Sequence, residues 1–210
     1  MRRTRSFENE ELNVFQAFTD LMSNAFMILS FFLILALFHV NNLNRRLQSA
    51  TPIVIDEKSG NFTFVSKSAA LTPQLRQYIL TSVIPTIQNT VKNHDIDFVQ
   101  IIGHTDGAEI SSVGNLDNKI ETVANGRENV KVLSPGSNTD LGLMRALAVV
   151  QEIQKTGQLP DVKFRAYSAG QLYLPSGKLA QIDRTDNDSR RRIEIRFIPP
   201  GRKSALTESP

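Results

Sequence analysis

The sequence predicts a single membrane-spanning α-helix followed by one α+β domain. Two observations carry that expectation. Near the N-terminus the run Leu21–Phe38 (LMSNAFMILSFFLILALF) contains no charged residue, and from Leu12 to Asn44 the one formal charge is Asp20. Downstream, strand-like and helix-like periodicities follow in the order strand, helix, strand, helix, strand, strand, which suits a mixed sheet with helices on one face. With 210 residues there is room for one ordinary domain plus extras.

The membrane helix is expected over residues 14–40. At 1.5 Å per residue Ala17–Phe38 gives about 33 Å, enough for a hydrocarbon core of about 30 Å. A cleaved signal peptide needs a shorter apolar core followed by a small-x-small site, and Val40–Gln48 (VNNLNRRLQ) offers none. Arg2, Arg3 and Arg5 precede the span and Arg45 and Arg46 follow it, so the positive-inside bias is slight.

Asp20 admits two readings. Lying about one turn inside the apolar block, it is either an interfacial carboxylate that reaches water or a carboxylate held in the membrane to bind and release a cation. Desolvation favours the protonated form of such a group, which suits uptake on one side and release on the other. Ser23 and Asn24 at i+3 and i+4 extend a polar stripe on the same face, which a partner bundle would favour and lipid would not.

Residues 41–61 read as a linker and first strand region, with strands at Ile53–Ile55 and Phe62–Val65 around the turn Asp56–Asn61. Thr72 and Pro73 start a helix as cap and first residue. Leu75, Ile79, Val83 and Ile87 mark its apolar face, and Pro85 is expected to kink it. Asp97–Gly103 reads as a buried strand. A helix follows at about Thr139–Lys155, stopped by Gly157 and Pro160. Val162–Tyr167 and Arg191–Ile198 alternate as strands. The domain is expected over residues 62–198, with an insertion at 107–137 that suits a lid, a dimer contact or a mobile loop, and a disordered tail at 199–210.

Composition excludes several functions. There is no cysteine, so no disulfide framework, thiolate metal site or Cys nucleophile exists. The net charge is +3, but Arg and Lys are dispersed apart from Arg190–Arg192 inside a strand pattern, so no nucleic-acid partner is expected. The three histidines, His39, His94 and His104, form no ligand cluster in sequence, and neither H-E-x-x-H nor G-x-S-x-G occurs. No enzyme activity, catalytic residue or metal site is expected.

Three motifs resemble one family. Ile102–Asp106 (IGHTD) resembles the G-H-T-D strand end of OmpA-like peptidoglycan-binding domains. Asn138–Ala146 (NTDLGLMRA) resembles that family's N-x-x-L-S-x-x-R-A helix start, with Gly142 in place of Ser. Arg190–Glu194 (RRRIE) resembles its N-R-R-V-E strand, with Arg190 in place of Asn. Asn138, Leu141 and Arg145 share one helix face near an N-terminus whose free N–H groups suit a carboxylate, and Arg145 can add a bidentate contact. Asp106 supplies the opposite charge. A ligand with an amine and a carboxylate would bridge the pair; alternatively Asp106 and Arg145 form a structural ion pair. The resemblance implies that Asp106, Asn138, Leu141 and Arg145 bind peptidoglycan through the diaminopimelate of its peptide stem.

Thr19–Ser23 (TDLMS) resembles the opening of MotB-type transmembrane helices, in which the aspartate carries the ion; the short link to the domain is most like the ZorB subunits of Zorya anti-phage defence systems. This resemblance implies a bacterial inner-membrane stator subunit with residues 1–13 in the cytoplasm and its C-terminal domain in the periplasm. It implies that Asp20 carries the cation, H+ in preference to Na+, with no bound cofactor. Two copies are expected inside five copies of a MotA-like or ZorA-like multi-span partner, anchored to peptidoglycan. A flagellar-type MotB role and a passive wall tether stand as alternatives.

Overall fold

The computed structural model describes residues 4–47, 50–56, 64 and 67–201, and divides into two units at Leu47/Gln48. The first unit is helix α1, Thr4–Leu47. Within it Phe15–Leu43 is long and apolar enough to cross a membrane, with a mean hydropathy of 2.3 and none of its most apolar window buried. Helix α1 extends well past both expected bounds. Neither Phe7–Leu12 nor Asn41–Leu47 contains Gly or Pro, so nothing in the sequence stops the backbone ladder there.

The second unit holds strands β1 (Ile53–Asp56), β2 (Phe98–His104), β3 (Phe164–Gly170) and β4 (Arg192–Ile198) in one sheet of order β1-β4-β2-β3. β2 and β3 run parallel; β4 is antiparallel to both β1 and β2. The expected strand at Phe62–Val65 and the tail from residue 202 lie outside the described residues. Register places Ile53 and Ile55 opposite Ile195 and Ile193, and Val99 and Ile101 opposite Phe197 and Ile195. These side chains form the inner face, and six of them, Ile55, Val99, Ile101, Ile193, Ile195 and Phe197, are at most 2% exposed. Each fully buried aliphatic side chain contributes about 1.5–3 kcal/mol.

Helices α2 (Pro73–Tyr78), α3 (Ile84–Asn93) and α5 (Asn138–Lys155) cover that face. α2 begins as expected, with Thr72 accepting a hydrogen bond from Leu75 N at 3.3 Å and Pro73 in the first turn. Leu75, Ile79, Val83 and Ile87 are all buried in the common core. The effect of Pro85 falls upstream of the proline itself. Ile79–Val83 forms a π turn in which Ile84 N bonds Ile79 O, widening the helix where the proline ring would crowd the preceding turn.

The insertion is folded. Helix α4 (Leu116–Ala124) and a 3-10 turn at Val130–Val132 pack on α5. Gln151 of α5 donates to Val123 O and Glu128 O, both at 2.9 Å, and accepts from Val130 N at 3.2 Å. Leu116, Val123, Val130 and Leu133 join the main core. Most of the insertion is therefore an extension of the core along α5.

Candidate functional site

The sheet and α5 converge at the C-terminal end of β2. Here the helix touches the strand backbone to backbone. A Cβ on Gly103 would overlap the carbonyl of Gly142, and one on Gly142 would overlap Ser168 Oγ. Gly142 therefore stands where the motif has Ser because Ser168 already fills that space. The register of β2 on β3 shifts between Gly103 and His104, and Thr105 N bonds Gly170 O at 2.9 Å. Asp106 follows at once.

All four expected binding residues lie near this end and all are buried: Asp106 is 6% exposed, Asn138 7%, Leu141 3% and Arg145 1%. Asp106 Oδ1 accepts from Ala108 N at 3.3 Å, and Asn138 Nδ2 donates to Ala108 O at 2.9 Å, so one short loop joins the two side chains. Asn138 Oδ1 is buried without a partner among the described residues. α5 begins one residue before the expected start. Ser137 caps it by accepting from Asp140 N at 3.1 Å, and Asp140 Oδ2 accepts from Gly136 N at 2.9 Å. The helix thus carries a cap and an acid in its first turn, which stabilise that end.

Arg145 points elsewhere. Its Nε donates to Ser68 O at 3.1 Å, and its guanidinium carbon lies 4.7 Å from the centre of the Phe64 ring. The ion-pair partner of Asp106 is instead Arg191, with Nη1 at 2.7 Å from Oδ2. The same guanidinium also pairs with Asp186 and Asp188. The carboxyl of Asp186 is held below its ordinary range by its neighbours Asp106 and Arg191. A direct Asp106–Arg145 pair is thus replaced by one between residues 85 apart in sequence.

The three consecutive arginines go three ways. Arg190 donates to Gln171 O at 2.5 Å; Arg191 holds Asp106; Arg192 donates to Tyr173 O at 3.2 Å and Leu174 O at 3.3 Å. On the outer face of the sheet Arg192 also meets Glu194, 2.9 Å away, beside His104 Nε2 at 3.1 Å and Arg196 at 2.6 Å from the same carboxylate. These groups line a cavity of about 370 Å³ with Ile102 and Tyr173. The close approach of His104 Nε2, followed by the hydrogen bonds from Arg196 and Arg192, holds the Glu194 carboxyl well below its usual range despite partial burial. A carboxyl depressed by folding stabilises the protein above its unfolded pKa and loses that contribution as pH falls. Stability is therefore expected to fall from about pH 4.5 downward, and Glu194→Gln is expected to flatten that part of the curve in acid-unfolding titrations.

In the first unit, Gln16, Asp20, Ser23 and Asn24 fall on one side of α1 and all are exposed. Neighbouring Thr19 is tied to its own helix, donating to Phe15 O at 2.8 Å.

No protein-family model matches the chain, and no curated protein matches it significantly. Solved structures do resemble it. The periplasmic domain of Helicobacter pylori MotB is 16% identical, with 75% of this chain and 79% of that one covered at a TM-score of 0.49. A MotB-like protein from Desulfovibrio vulgaris is 16% identical over 78% of this chain and 87% of that one, with a TM-score of 0.42. The peptidoglycan-associated lipoprotein from Burkholderia pseudomallei is 18% identical over 66% and 91%, with a TM-score of 0.39.

Proposed function

We propose that the chain is the peptidoglycan-anchored, ion-carrying subunit of a MotA/MotB-like stator in the bacterial inner membrane, of the ZorB type used in anti-phage defence. The carrying observation is the pair of acceptors at the end of β2: buried Asp106 and the orphaned Asn138 Oδ1, joined through Ala108. A buried acceptor without a partner costs free energy that a ligand donor recovers. An ammonium group suits these two acceptors. Arg145, further along α5, is the cation we assign to a carboxylate. Diaminopimelate carries both groups in one side chain, and Leu141 offers its methylenes an apolar wall.

Asp20 supplies the motor reading. It is the one formal charge between Leu12 and Asn44, on a polar stripe that a surrounding ring of multi-span subunits would cover. Five such subunits around two copies of this chain would present each Asp20 in turn to an inner and an outer access path, carrying H+ in preference to Na+. Residues 1–13 then face the cytoplasm and the α+β domain the periplasm. A flagellar role uses the same parts, and a passive tether uses all of them except Asp20.

The wall-binding part is tested by sedimentation of the purified full chain with peptidoglycan sacculi. Arg145→Ala and Asp106→Asn are each expected to lower the bound fraction at least tenfold, because each leaves a ligand charge unpaired. Wild-type binding in both variants rejects the site. Copurification with a multi-span membrane protein supports the stator; isolation alone from gently solubilised membranes favours the tether.

A further inference from the structure

Asp106 is too enclosed to meet a ligand as it stands. It is 6% exposed. Arg191 Nη1 lies 2.7 Å from Oδ2, and Asn187 N reaches the same oxygen at 3.4 Å. The next residue, Gly107, abuts the carbonyl of Asp183 so closely that a Cβ there would overlap it. Everything on this side of the carboxylate belongs to the segment 183–191.

We propose that loop 183–188 is a lid over Asp106, fastened by Arg191, whose guanidinium keeps the place that a ligand's ammonium group takes. The proposal rests on the wall-binding reading above and adds how that site is opened.

The loop is built to move as a unit. Asp183 Oδ1 accepts from Thr185 N at 2.9 Å and from Thr185 Oγ1 at 2.7 Å, and Asn187 Oδ1 accepts from Ser189 N at 3.0 Å. These bonds are internal and survive displacement. The fastenings to the rest of the domain are the Arg191–Asp106 pair, the Asn187 N bond to Asp106 and the Arg184–Glu109 pair. Asp186 and Asp188 pair with Arg191 while their side chains remain 62% and 72% exposed, and Arg184 lies 3.6 Å from Glu109, both also exposed. Exposed pairs of this kind are weak and screened by salt. By contrast Arg190, buried under the loop's far end, is anchored on Gln171 O and gives the lid a fixed base.

Charge counting gives the direction of exchange. Three carboxylates, Asp106, Asp186 and Asp188, surround one guanidinium. An arriving ammonium takes Asp106, while Arg191 keeps both lid acids, so no charge is left buried and alone. The lid can then swing away with Arg191 still satisfied.

The test uses the full chain in detergent with meso-diaminopimelate as soluble probe and sacculi as the natural polymer. In the wild type, hydrogen exchange of amides 183–190 is expected to quicken when the probe binds. Glu109→Gln cuts the pair with Arg184 and unfastens the lid, so the apparent Kd is expected to fall about twofold to fivefold as the open fraction rises. This outcome is discriminating, because removing a negative charge near an ammonium would otherwise weaken binding. Arg184→Ala, which cuts the same exposed pair from the lid side, is expected to shift Kd in the same direction and keeps the test standing if the first variant misfolds. Probe binding with unchanged or slowed exchange at 183–190, or unchanged or weaker affinity in the lid variants, overturns the lid and leaves the site intact. Failure of the wild type to bind either probe or sacculi overturns the site and the lid together.

Discussion

Asp20→Asn is expected to abolish ion flux through the assembled complex while leaving membrane level and sedimentation with sacculi at wild-type values. Asn matches Asp in size, but it cannot take up and release a proton. A carboxylate within a span is costly, and such groups commonly mark ion pathways. The relevant measurement is proton flux in vesicles containing the chain with its multi-span partner, run beside the Arg145→Ala variant. Arg145→Ala should retain Asp20 chemistry and lose the wall; Asp20→Asn should do the reverse. Full flux in Asp20→Asn would leave a tether as the remaining reading.

The largest stability effect is expected at Gly103. Its Cα lies against the backbone of Gly142, and an added methyl would overlap a carbonyl that no rotamer change can move. Overpacking typically costs 1–3 kcal/mol, and a backbone-to-backbone clash belongs at the top of that range. Gly103→Ala is therefore expected to cost about 3 kcal/mol and to lower the melting temperature of the domain by roughly 10 °C. Gly201→Ala is the control, since nothing lies within 4 Å of a Cβ there. Equal melting temperatures for the two variants would refute the close contact.

Much of the fold is legible because periodic burial leaves a mark in sequence. Leu75, Ile79, Val83 and Ile87 announce α2 and α3, and Ile193, Ile195 and Phe197 announce β4. The insertion carried the same kind of signal: Leu116, Ile120 and Val123 recur at helical spacing, yet short length and surrounding polar residues masked it. The site is less legible. Asp106 and Asn138 stand together, but the partner of Asp106 is Arg191, supplied from just ahead of the neighbouring strand β4. Spacing along one helix cannot reveal such a pairing. Nor could the run Arg190–Arg192 show that each guanidinium leaves in a different direction, since the preceding 3-10 turn at Asp188–Arg190 breaks the strand alternation. The lid acids sit in an aperiodic loop, where only tertiary structure shows what they cover.

On the proposed reading, the covalent route from membrane to wall has a mechanical implication. Five residues separate Leu47, the end of α1, from Ile53, the start of β1. β1 is a four-residue edge strand held by β4 alone among the strands. In a wall-anchored molecule any tension therefore enters the folded domain at Ile53 and crosses to β4 through the hydrogen bonds of Ile53–Asp56. From there it reaches β2 and Asp106. Those few backbone bonds set the load the anchor can bear, and under excess pull β1 is where the domain yields first.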